Sequence, residues 1–168
     1  GYNGPPADRL RLVEDRDGDG VAEKVSTFWE GGRFTMSVAF HPINGTLYVA
    51  TRYQVFRLDD LDHDGRADGP PIAVATLETE GNYPHNGLAG FAFDPLGRVY
   101  FGLGENLGAS YALVGTDGNR FSGGGEGGNI YRCDPDGGHL EKVATGFWNP
   151  FGIHMDRHVH GLARRQIC

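Results

Sequence analysis

Phe91-Ala92-Phe93-Asp94-Pro95-Leu96-Gly97-Arg98-Val99-Tyr100-Phe101-Gly102 reads as an apolar strand, a Pro/Gly turn and a second apolar strand. The same sentence is written earlier in the chain. Val38-Ala39-Phe40-His41-Pro42 leads into Gly45-Thr46-Leu47-Tyr48-Val49-Ala50. Each copy then reaches a third strand of one kind, Val55-Phe56-Arg57-Leu58-Asp59 and Ile130-Tyr131-Arg132-Cys133-Asp134. A second repeat runs out of phase with the first. Asp15-Arg16-Asp17-Gly18-Asp19-Gly20-Val21-Ala22-Glu23 returns 45 residues later as Asp60-Leu61-Asp62-His63-Asp64-Gly65-Arg66-Ala67-Asp68. A period of this length is that of four-stranded blades, which bury little alone and much when stacked.

The repeats predict an all-β chain forming a partial β-propeller: two blades and parts of two more. The first full blade has strands at 36–41, 47–51, 54–59 and 71–77. The second has them at 87–93, 98–102, 129–134 and 139–145. Segments 8–14 and 23–28 read as the outer two strands of a preceding blade, and 151–156 begins another. The blade region spans 1–157. From His158 to Cys168 the apolar pattern is lost, which reads as an atypical, non-native tail. No segment keeps helical periodicity.

Composition excludes several classes. There are 28 glycines without a collagen period, which fits many tight turns. The formal net charge is −7 and the 15 Lys and Arg are scattered, so a nucleic-acid partner is not expected. No apolar run approaches the ~20 residues of a membrane span. Two cysteines define no disulfide framework. Cys133, in an alternating run, reads as a small core residue.

Chain direction sorts the loops onto two faces. Connections holding Arg33, Arg52, His85-Asn86, the Gly-rich insertion from Leu103 to Gly128 with Glu105 and Asn106, and Trp148-Asn149-Pro150 meet on one face, around the channel mouth. The Asp-rich loops belong to the opposite face. Asp15, Asp17, Asp19 and Glu23, and Asp60, Asp62, Asp64 and Asp68, are spaced as oxygen ligands for a hard cation such as Ca2+. Ser26 or Pro71 stands at the twelfth position instead of Glu, so a full EF-hand is excluded. The other reading is a simple Asp/Gly turn.

The stretch Asn82 to Gly102, with His85 just before a strand, resembles the soluble quinoprotein glucose/sorbosone dehydrogenase family. Gly128-Asn129-Ile130-Tyr131-Arg132-Cys133-Asp134-Pro135-Asp136-Gly137 is similar to its G-x-I-x-R-x-x-P-D-G segment, and Gly146-Phe147-Trp148-Asn149-Pro150-Phe151-Gly152 to its G-x-R-N-P-x-G segment. The Asp-rich loops resemble those of bacterial membrane-bound dehydrogenases that join such a propeller to a haem c domain. The resemblance implies a six-bladed ring, in the periplasm or outside the cell. It implies pyrroloquinoline quinone (PQQ) over the channel and a sugar or alcohol substrate. A c-type cytochrome domain is implied as electron acceptor. His85 would be the general base, suited by an ordinary pKa of about 6.5. Asn86, Asn149, Trp148 and Arg52 would contact the cofactor. Trp148 stands where the family has Arg, and Trp supplies neither charge nor a bidentate fork. The competing expectations are a non-catalytic propeller that binds a carbohydrate or protein at the mouth, and a calcium-stabilised extracellular module.

Overall fold

The computed structural model describes residues 6–83, 86–156 and 166–167. Among them every regular element is a strand, and every pairing is antiparallel. β1 (Asp8–Glu14) and β2 (Lys24–Gly32) form a hairpin. β3 (Thr35–Phe40), β4 (Leu47–Thr51), β5 (Gln54–Leu58) and β6 (Ile72–Thr79) form a meander. β7 (Leu88–Phe93), β8 (Val99–Leu103), β11 (Gly128–Cys133) and β12 (Glu141–Phe147) form a second four-stranded meander. The strands expected from the repeats are therefore present. No closed ring forms among them.

The insertion between β8 and β11 departs from expectation. It carries β9 (Tyr111–Gly115) and β10 (Arg120–Gly123), and β9 pairs with β6. The first sheet thus has six strands in the order β10-β9-β6-β5-β4-β3. The hairpin starts and ends in one sheet but satisfies its backbone in the other. It saturates the N–H and C=O groups along the free edge of β6, which would otherwise need water or a partner chain. The short β13 (His154–Met155) pairs with β14 (Gln166–Ile167).

The core lies between the two large sheets. Tyr48, Ala50, Val55, Leu77, Leu113, Phe101 and Tyr131 are buried there. Alternation sends Leu47 and Val49 to the opposite face, where they meet Phe28 and Leu10 of the β1–β2 hairpin, with Phe56 and Leu58. The β7–β8 turn is held by Asp94, whose fully buried carboxylate accepts from the Leu96 and Arg98 N–H groups and from the Arg98 side chain. Burial opposes its ionisation, yet these donors keep its pKa below the usual value. No helix among the described residues is long and apolar enough to cross a membrane.

Cys133 is buried, as expected, and burial pushes its thiol pKa up to about 12. In a Cys168→Ser background a thiol reagent at pH 8 is expected to leave Cys133 unmodified until denaturant is added. Rapid native labelling would contradict this packing.

Candidate functional site

Strand direction brings five loops to one end of both sheets: Gly32 to Thr35, Arg52 to Tyr53, Glu80 to Tyr83 with Asn86 and Gly87, Gly104 to Ser110 with Gly124 to Gly127, and Trp148 to Gly152. The segment after β8 runs between two others. The Gly104 N–H donates to the Gly87 carbonyl at 3.0 Å, and the Glu105 N–H donates to the Trp148 carbonyl at 2.8 Å. Close approach explains two glycines here. A Cβ on Gly104 would fall 2.5 Å from Asn149 Oδ1 and 3.2 Å from the Asn86 side chain. One on Gly87 would fall 2.6 Å from the Arg52 Cα.

Arg52, Asn86 and Asn149 therefore lie around one spot. The Arg52 guanidinium lies 4.5 Å from the Phe34 ring centroid and 5.8 Å from that of Tyr53. Asn86 is 2% exposed, and among the described residues neither its Oδ1 nor its Nδ2 has a hydrogen-bond partner. A buried carboxamide left this way costs about 1–3 kcal/mol per group. It lines a cavity of about 20 Å³, space for one water or hydroxyl, with Arg52, Gly104 and Glu105. Trp148 lies apart from this cavity, 64% exposed, in a groove that shares Glu105, Gly125 and Gly127 with it. His85 falls outside the described residues.

A polar network beside the site carries no signal of its own in the sequence. The Tyr111 hydroxyl donates to Glu126 Oε1 at 2.5 Å. Its proton is thus committed, so the Tyr131 hydroxyl, 2.8 Å away, donates to Tyr111. Asn129 Nδ2 donates to the Tyr111 oxygen, to Glu126 Oε1 and to the Gly127 carbonyl. The Gly124 N–H donates to Glu126 Oε2, and Lys142 Nζ lies 3.7 Å from Oε1. Burial works against the Glu126 charge, but the Tyr111 hydroxyl and backbone donors hold its pKa down to about 2. Burial, with the carboxylate beside it, pushes the Tyr111 pKa above the ordinary range. The Tyr131 pKa is pushed up to about 12, chiefly by burial.

The Asp-rich loops lie at the opposite end of the sheets and share one internal design. Gly20 N–H donates to Asp15 Oδ2 as Gly65 N–H does to Asp60 Oδ2. Arg16 N–H donates to Glu23 as Leu61 N–H does to Asp68. Side-chain oxygens of Asp15, Asp17, Asp19 and Glu23 lie within 4.8 Å of one another, and so do those of Asp60, Asp62 and Asp68. Asp64 stays outside the second group; its N–H donates to Asp60 and Asp62. The second loop also packs on the first hairpin, where the Ala67 N–H donates to the Phe28 carbonyl.

Glu126 titrates near pH 2 when folded and near 4.5 when unfolded, so its contribution is complete above about pH 4.5 and lost as pH falls through about 2. Glu126→Gln is expected to cost roughly 1–3 kcal/mol at pH 7. The two proteins should converge in urea melts near pH 2. A constant difference across that window would contradict the network.

No curated protein and no solved structure matches the chain. The family described as "Domain of unknown function (DUF7133)" matches residues 1–163, and the chain belongs to that family.

Proposed function

We propose that this chain is part of a β-propeller of the quinoprotein glucose/sorbosone dehydrogenase type, and that the end of the sheets bearing Arg52, Asn86 and Asn149 binds a small sugar or related alcohol. The observation that carries the reading is the Asn86 carboxamide. It is buried, its donor and acceptor are both unpartnered, and it lines a cavity of hydroxyl size. A hydroxyl both donates and accepts, which matches the two ends of a carboxamide. The convergence of the Asn86 and Asn149 motifs at Gly104 supports the same reading.

PQQ is a tricarboxylate, and the described residues do not suit it. Arg52 is the one Lys or Arg lining the cavity or the adjoining groove. Trp148 replaces a cation, and Glu105 and Glu126 add negative charge. These residues serve the substrate side of such a site. The full dehydrogenase reading is favoured by the Asn82 to Gly102 motif. There His85 would take the hydroxyl proton, and a c-type cytochrome domain would accept electrons. Calcium suits the Asp loops, since their donors are all hard oxygens. Asp15, Asp17, Asp19 and Glu23 would hold one ion, and Asp60, Asp62 and Asp68 another. The periplasm, or the outside of the cell, is the compartment this reading implies.

Calorimetric titration of the full chain with neutral aldoses is the test. Binding without cofactor is expected, lost in Asn86→Ala and weakened in Asn149→Ala. No binding by a folded chain would sink the proposal. Saturable PQQ binding with dye reduction abolished by His85→Ala would establish the dehydrogenase reading instead.

For the loops, added Ca2+ is expected to raise the melting temperature and chelator to reverse it. Asp15→Asn and Asp60→Asn should each remove part of the rise. An unchanged melt in millimolar Ca2+ would leave them as turns.

A further inference from the structure

The Trp148 groove holds a combination that the cavity beside Asn86 lacks. That cavity admits a hydroxyl but no ring. The groove is open, about 600 Å³, and is lined by Glu105, Leu107, Glu126, Phe147 and Trp148 over glycine backbone. Trp148 is 64% exposed, a large apolar face left in water beside two carboxylates.

Both carboxylates are held in place. Glu105 accepts from the Gly108 N–H at 2.5 Å and from the Leu107 N–H at 2.7 Å. Glu126 is fixed by Tyr111, Asn129 and the Gly124 N–H, with Lys142 nearby. Glu126 Oε1 already accepts two hydrogen bonds, but Glu126 Oε2 and both Glu105 oxygens, with one donor each, keep lone-pair capacity for a further donor. Much of the charge is already met by these donors, so the groove asks for hydroxyls more than for a cation. An anion would meet two carboxylates and is disfavoured. A flat aromatic face beside fixed acceptors suits a ring with apolar C–H groups on one side and hydroxyls around its edge.

We infer that the groove is a pyranose subsite, with the sugar ring stacked on Trp148 and its hydroxyls donating to Glu105 and Glu126. This deepens the ligand reading above and rests on it, because the groove and the Asn86 cavity share the wall of Glu105, Gly125 and Gly127. Trp148 thereby sets the preference for an uncharged ring. Its exposure means that replacing it leaves the core intact.

Tryptophan fluorescence of the full chain, titrated with glucose, galactose and xylose, tests this directly. The other tryptophan, Trp29, packs on Phe56 away from the groove and serves as the internal reference. A saturable change is expected, with affinity falling about tenfold or more in Trp148→Ala and partly kept in Trp148→Phe. Glu105→Gln should weaken binding while its circular dichroism shows the sheets intact. Glucuronate should bind at least severalfold more weakly than glucose.

The outcomes separate the two sites. Sugar binding that persists in Trp148→Ala but fails in Asn86→Ala overturns the stacking subsite and leaves the Asn86 reading standing. Binding lost in Trp148→Ala but kept in Asn86→Ala does the reverse. A saturable fluorescence change with choline and none with the neutral sugars would make the groove a cation site and overturn the inference.

Discussion

Tyr48, Val55, Leu113, Phe101 and Tyr131 are out of water because two antiparallel sheets meet over them, and the loop geometry depends on that layer. Apolar burial supplies the driving force, at roughly 25 cal/mol per Å². It also sets the sheets at a fixed angle and height. The loops at one end of the strands then have no freedom to separate. Gly104 can sit between the Asn86 and Asn149 side chains only because β7, β8 and β12 are already packed.

The inserted hairpin reinforces that layer from outside. β9 leaves the second sheet, pairs with β6 of the first, and returns through the Glu126 network. At its far end the Thr116 N–H donates to the Gly137 carbonyl. Tyr111 buries its ring against the core and spends its hydroxyl on Glu126, so one residue joins packing to the polar wall of the groove. A carboxylate placed this way favours its ionised form and is oriented by its hydrogen-bond donors, which is what an acceptor in a binding groove requires.

The two ends of the sheets divide the chemistry. One collects amides, an arginine, an exposed tryptophan and a hydroxyl-sized cavity. The other collects the acidic loops, each built on the same backbone-to-carboxylate hydrogen bonds. Antiparallel pairing enforces this separation, since successive turns alternate between ends. The repeat of 45 residues returns the Asp loops to the same end each time.

The strands at 36–41, 47–51, 54–59 and 87–93 were legible because alternation and Pro/Gly turns are local properties. The sorting of loops to two ends followed from strand direction alone. That direction put Arg52, Asn86 and Asn149 at the same end. The hairpin of β9 and β10 could not be placed. Tyr111-Ala112-Leu113-Val114 and the turn at Asp117-Gly118-Asn119 were signals of a hairpin. Nothing local says that it joins the neighbouring sheet, because its partner β6 lies more than thirty residues away. The Glu126 network and the unpartnered Asn86 carboxamide likewise arise from distances between separate segments of the chain. Periodicity decided which residues face inward; only packing decided which of them meet.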